Sequence, residues 1–267
     1  MDRTAMKQLE AWKTSRNRKP LIIRGARQTG KTWLSEEFGR TRYEAVARID
    51  LMNNERARSF FDGDLDVSRI LRNISLETGV PITADTLVLL DEIQECPRAV
   101  TALRYFYEEM PNLHVIAAGS LLEFVLHGKG AEVDFPVGRV RSIYMYPFSF
   151  MEYLRAVEGE MIADYLEKFQ VGHQENTAHD RLIEAYKTFL VVGGMPEAVL
   201  TYMTTGSLLE CQQVHRDIIF NFMDDFNKYS KNVSADIIRK VFEYSIHNVC
   251  GQTKASSAIS GVSAYYF

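Results

Sequence analysis

Leu21-Ile22-Ile23-Arg24-Gly25-Ala26-Arg27-Gln28-Thr29-Gly30-Lys31-Thr32 runs from three apolar residues into the pattern G-x-x-x-x-G-K-[ST]. The apolar run suits a strand, and the glycines let the following backbone curl so that successive N–H groups face an anion. Lys31 is placed to reach the outer phosphates of a nucleotide, and the Thr32 hydroxyl to hold Mg²⁺. A helix that starts at about Lys31 adds the positive end of its dipole. Trp33, Leu34 and Phe38 then read as one helical face. A bare Gly-rich turn would meet the eight-residue pattern too, but it would not need a strand before it and a helix after it.

Leu87-Val88-Leu89-Leu90-Asp91-Glu92 is a second strand signal, four apolar residues closed by two carboxylates. A continuous apolar run fits a strand buried on both faces of a parallel sheet, where ligands bind at the carboxyl ends of strands. Asp91 is the candidate Mg²⁺ residue and Glu92 the candidate base for an attacking water. A third run, Leu113-His114-Val115-Ile116-Ala117-Ala118-Gly119-Ser120, ends in a polar residue beside glycine. Ser120 is therefore a candidate sensor of the outer phosphate, against the plainer reading of a Gly-Ser turn.

On these residues the chain resembles the AAA-type ATPases of bacteria and archaea that carry a C-terminal domain of unknown function. The resemblance rests on Arg27-Gln28 within the P-loop, Asp91-Glu92-Ile93-Gln94 followed by Cys96-Pro97, Gly119-Ser120, Gly138-Arg139, Tyr146-Pro147-Phe148-Ser149-Phe150 and Gly193-Gly194-Met195-Pro196-Glu197-Ala198. It implies ATP and Mg²⁺ binding and kinship with the AAA and STAND switch ATPases, with no defined substrate. It also implies a longer protein, because relatives continue into a nuclease-like domain whereas this chain ends at Phe267. We read it as a C-terminally shortened member.

Two more sites follow from the resemblance. Arg139, in a glycine-bearing loop, is a candidate arginine finger or sensor, acting in its own subunit or on a neighbour, where a finger is worth about 10³ to 10⁵ in rate. Its plain alternative is a surface arginine. Gly194-Met195-Pro196 resembles the GxP motif of STAND ATPases, whose proline packs near adenine. The same residues also suit a helix C-cap followed by a proline-started helix.

Composition fits an ordinary globular protein, with 46% hydrophobic and 25% charged residues among 267. A net charge of -4 and a pI near 5.9 give no global reason to expect DNA, so any such binding would need a local patch. Cys96, Cys211 and Cys250 are three, far apart and without a C-x-x-C, so neither a disulfide framework nor zinc is suggested. The six histidines form no H-x-x-x-H, and His114 reads as a satisfied core residue. With no apolar run long enough to span a bilayer and no signal peptide, a cytoplasmic location is expected.

The expected fold is α/β: a P-loop doubly wound parallel sheet, followed by an all-helical lid or winged-helix-like domain. Residues 1–19 read as a basic amphipathic helix with Met6, Leu9 and Trp12 inward, 20–148 as the ATPase core, 149–250 as the helical lid and 251–267 as a weakly patterned end. Within the core, strands are expected over 43–51 and 140–146, and helices over 66–78 and from Pro97, the latter with Ala99, Leu103, Phe106 and Met110 inward. A capping box at Ser149–Glu152 opens the helical part, and Ser207–Glu210 and Ser234 offer further caps.

The functional expectation is an ATPase that turns Mg²⁺-ATP into ADP and phosphate to switch its own arrangement. Two alternatives stay open, a nucleotide-gated binding module with negligible turnover and a DNA-associated ATPase. A P-loop small-molecule kinase fits less well, since no acceptor-site motif is visible. ATP or ADP, an unknown protein partner and further copies of the chain are the expected partners, with no membrane.

Overall fold

The computed structural model describes residues 3–120, 134–170, 176–229 and 234–248. The expected glycine-bearing loop over 127–138 lies mostly outside them, and the weakly patterned end over 251–267 wholly so. The chain divides into two compact units, Met1–Leu208 and Leu209–Phe267.

The first unit is built on one sheet of five described strands, β1 Leu21–Arg24, β2 Ala45–Asp50, β3 Thr86–Asp91, β4 His114–Ala118 and β5 Arg141–Tyr144. All neighbours are parallel and the order is β2-β3-β4-β1-β5. β4 therefore lies between β1 and β3, which brings the end of the Ser120 strand beside the P-loop strand. α1 Thr4–Lys13 precedes β1, and the strands from β1 to β4 run parallel because helices cross between them: α2 Lys31–Arg42, then α3 Glu55–Ser59 and α4 Val67–Thr78, then α5 Pro97–Glu109.

Strand periodicity divides the core into two layers. Side chains alternate between faces, so Val88, Leu90, Val115 and Ala117 join Val67, Ile70 and Ile74 of α4 and Ala99, Leu103 and Phe106 of α5. Leu87, Leu89, Leu21, Ile23 and Ile116 face the other way, onto Leu9 and Trp12 of α1 and Leu34 and Phe38 of α2. Every residue of β3 is buried, which is why its sequence shows no alternation. The N-terminal helix completes this second layer. Trp12 is 1% exposed and donates its indole N–H to the Lys19 carbonyl at 2.7 Å.

Three expectations need correction. Trp33 is 46% exposed, because consecutive helical residues are turned 100° apart and the core face is taken by Leu34. Met110 is also exposed, since α5 ends at Glu109. His114 opens β4 at its half-buried end, where Nδ1 meets the Ala84 carbonyl at 3.1 Å and the ring lies edge-on to Tyr43 and Trp12. Burial and the nearby Arg18 push its pKa down to about 4.

From Ser149 the first unit turns helical, through α6 Phe150–Val157, α7 Glu160–Glu167, α8 Asn176–Val192 and α9 Pro196–Thr205. The capping box is present: Ser149 accepts the Glu152 N–H, and the Glu152 carboxylate accepts the Ser149 N–H. Leu154, Ala163 and Ala185 form a small core, with Phe150 and Tyr153 against Phe189 at 5.5 and 5.1 Å between ring centres. In the second unit, which begins inside α10 Leu208–Tyr229, Phe226 meets Phe242 of α11 Ala235–His247. Ser234 caps α11 by accepting the Asp236 N–H.

Candidate functional site

The loop after β1 is shaped by a close approach. At Gly25 φ is +143°, and a Cβ there would come 2.2 Å from the Met145 carbonyl oxygen. Only glycine fits, and the Met145 N–H donates to the Arg24 carbonyl at 2.8 Å beside it. Gln28 takes left-handed φ at +62°, and Gly30, at +90°, caps α2. Ala26 and Gln28 are exposed, Arg27 is half-buried, and Thr29 is buried with its hydroxyl donating to the Ala26 carbonyl at 2.9 Å.

Lys31 folds back over this loop, donating from Nζ to the Gly25 and Ala26 carbonyls at 3.0 and 2.6 Å. Burial lowers its pKa to about 8; the carboxylates of Glu92 and Asp91 oppose the shift, while Arg27 adds to it. A cation held in so dry a place gains strongly from an incoming anion.

At the end of β3, Asp91 is 3% exposed and fully engaged. Its Oδ1 accepts the Thr32 hydroxyl and the Glu92 N–H, both at 3.2 Å, and its Oδ2 accepts Arg48 Nη2 at 2.8 Å. Thr32 and Asp91 thus present two hard oxygen ligands side by side, a donor set suited to Mg²⁺ that shares phosphate oxygens and waters. Glu92 sits in the left-handed region, φ 50° and ψ 46°, a strained place for a residue with a Cβ. Its Oε2 accepts the side-chain amide of the buried Gln94 at 2.5 Å.

Ser120 follows β4, whose Gly119 N–H donates to the Ile23 carbonyl at 3.2 Å. The residue is 1% exposed, and its hydroxyl has no partner among the described residues. An unpartnered buried hydroxyl costs about 1–3 kcal/mol, so such groups point to a role. Pro196 lies on the other side of the loop. A Cβ on Gly30 would be 3.8 Å from Pro196 Cγ and 3.6 Å from Met145 Cε. Gly194 anchors that approach, since its carbonyl accepts the Phe148 N–H at 2.6 Å and a Cβ would meet the Phe148 oxygen at 2.2 Å.

The structure therefore gathers Lys31, Thr32, Asp91, Glu92 and Ser120 at the carboxyl ends of three adjacent strands, with Pro196 beside the loop. Arg139 is not among them. It precedes β5, whose Arg141 pairs with Leu21 at the opposite end of β1, and it binds Glu108 near the C-terminal end of α5 at 2.8 Å. β1 alone is four residues, about 13 Å at ~3.3 Å per residue, so Arg139 does not reach the loop of its own chain.

The contacts of four residues escaped sequence reasoning. Arg3 is buried, stacks on Phe148, and donates to the Thr29 carbonyl of the loop, to the Tyr146 carbonyl and to Glu152. Arg48 on Asp91 and Gln94 on Glu92 complete the set. An arginine among the apolar residues that lead to Asp50 in β2 was a signal for Arg48; the capping box marked Glu152 as a cap but not as a partner of Arg3, and nothing local marked Arg3.

A family model described as an AAA domain matches residues 17–154, just over half of the chain. The chain belongs to the AAA domain family. As an AAA domain it is a nucleotide-binding, ATPase-type module. A search of the curated proteins found no match. Solved structures similar to this AAA domain include the ORC2 protein of Aeropyrum pernix in ADPNP-ADP complexes, at 16% identity and TM-score 0.41 over 69% of this chain and 56% of that one. AMPPCP-bound DnaA from Aquifex aeolicus is similar at 15% identity and TM-score 0.41, over 93% of this chain and 78% of that one. C. elegans PCH-2 is similar at 14% identity and TM-score 0.39, over 78% and 65%. The chain thus spans little more than half the length of the ORC2 chain. No helix among the described residues is long and apolar enough to cross a membrane.

Proposed function

We propose that this AAA domain binds Mg²⁺-ATP, hydrolyses it to ADP and phosphate, and uses the cycle to change how the helices after Ser149 hold the P-loop. The observation that carries the reading is the convergence of Lys31, Thr32, Asp91, Glu92 and Ser120 at one edge of the sheet. In it, the loop amides from Ala26 to Thr32 cradle the phosphates and Lys31 leaves the loop carbonyls for the outer phosphates. Thr32 and Asp91 would hold Mg²⁺, which would neutralise phosphate charge when bound. Glu92 accepts the proton of the attacking water; with Oε2 on Gln94, Oε1 is the atom that takes it. Ser120 donates its hydroxyl to the outer phosphate or the water. Pro196, close to Gly30 of the loop, packs near the base, and Trp33, which follows Thr32 and is exposed, is free to meet the nucleotide.

A second reading, a gated module that holds nucleotide without meaningful turnover, is favoured by the Gln94 amide on Glu92, which occupies one of the two carboxylate oxygens. Phosphate release by the purified chain with Mg²⁺-ATP separates the two. Turnover that vanishes in Glu92→Gln supports hydrolysis. Tight ATP binding with no phosphate release by the wild type supports the gate. Repeating the assay with DNA over a salt series tests a nucleic-acid partner.

A further inference from the structure

The carboxylate placed to receive Mg²⁺ already carries a cation. Arg48 stands on β2 opposite Leu89 of β3, and its Nη2 donates to Asp91 Oδ2 at 2.8 Å. Its Nη1 is 3.0 Å from Oε1 of Glu36, on α2, so one guanidinium bridges two carboxylates. The two anions differ. Asp91 is 5% exposed at its side chain and Glu36 45%, with Arg48 itself 40% exposed. A desolvated carboxylate needs a counter-charge inside the fold, whereas an exposed one is content with water.

We infer that Arg48 is a built-in competitor of Mg²⁺ at Asp91, with Glu36 as the second anchor onto which the guanidinium withdraws when the metal arrives. The inference rests on the nucleotide reading above and adds to it a control on metal affinity. Two effects support it. Arg48 and Mg²⁺ draw on the same carboxylate charge, and a guanidinium left close to a divalent cation repels it in a medium far less screening than water. Withdrawal is open to Arg48 because its side chain is part-exposed and Glu36 already holds its other nitrogen. The arrangement keeps Asp91 paired and oriented in the nucleotide-free protein, and it raises the Mg²⁺ concentration needed to retain ATP.

The test follows ATP binding by calorimetry or by Trp33 fluorescence while Mg²⁺ is titrated at fixed ATP, so that it does not depend on turnover. Arg48→Met, which keeps the apolar stem and loses the charge, should lower the half-saturating Mg²⁺ concentration by about fivefold. Glu36→Gln removes the second anchor, leaves the guanidinium on Asp91, and should raise the half-saturating concentration; it carries the test if Arg48→Met does not fold. An unchanged or raised Mg²⁺ requirement in Arg48→Met, or an unchanged one in Glu36→Gln, overturns the inference while ATP binding stands. Failure of the wild type to bind ATP at any Mg²⁺ concentration overturns the nucleotide reading and this inference together.

Discussion

Arg3 Nε lies 3.2 Å from Glu152 Oε1, joining the first described residue of the chain to a helix 149 positions later. The pair is buried, and the same guanidinium donates to the Thr29 carbonyl of the P-loop at 3.2 Å and to the Tyr146 carbonyl at 2.6 Å. The Glu152 carboxylate also accepts the N–H groups of Thr4 and Ser149. One ion pair thus connects the N-terminal helix, the nucleotide loop and the helical part of the first unit.

Removing one partner from such a buried pair leaves an uncompensated charge, which typically costs about 3–5 kcal/mol. Arg3→Met is expected to lower the melting temperature and to weaken ATP binding, because the Thr29 carbonyl loses its brace. The pH dependence has a definite sign. Burial pushes the Glu152 carboxyl up, but the Ser149 and Thr4 amides and the Arg3 charge together hold it below its ordinary value. Its stabilisation is therefore complete above the unfolded pKa and is lost as pH falls through the folded one. Melting curves from pH 7 to pH 3 should show a smaller acid loss in Glu152→Gln than in wild type; equal slopes would remove Glu152 from the account.

Lys31, with its pKa near 8, should meet ATP partly deprotonated at alkaline pH. ATP binding is then expected to take up a proton around pH 8 to 9, and affinity to fall as pH rises through that window. Calorimetry in buffers of different ionisation enthalpy reads the proton directly. The sign for stability is the reverse of the acidic case: the folded pKa lies below the unfolded one, so the cost of burying the ammonium is felt below about 8 and fades as pH rises toward the unfolded value. Lys31→Ala should abolish both proton uptake and most ATP affinity.

Glu92→Gln is expected to keep ATP binding and to lower turnover by about 10² to 10⁴, the usual contribution of a positioned base. Gln94→Ala should also bind ATP, but its turnover should fall, since the Glu92 carboxylate loses the amide donor that holds its Oε2. Turnover equal to that of the wild type would restrict Gln94 to packing.

Arg139→Ala is expected to leave ATP affinity and turnover unchanged wherever the chain is monomeric, since Arg139 binds Glu108 at the far end of the sheet. Action on a neighbouring subunit makes the opposite forecast at high protein concentration. Activity would fall in Arg139→Ala and return on mixing with Lys31→Ala, one chain supplying the arginine and the other the ATP.

The sequence by itself determined the sheet and its ligand edge. Leu21–Ile23 and Leu87–Leu90 are apolar without alternation, as suits a doubly covered parallel strand, and each is followed by residue types suited to phosphate or metal. The caps at Ser149 and Ser234 were equally legible, because capping couples residues at most three positions apart. The tertiary structure decided what lies across the chain. Arg3 and Glu152 are ordinary charged residues until folding buries them together, and Arg48 reaches Asp91 only because β2 pairs with β3 in one register. Arg139 went the other way. The family resemblance suggested a phosphate role, but the direction of β5 sets it at the opposite end of the sheet, and strand direction is a property of the pairing that no local pattern encodes.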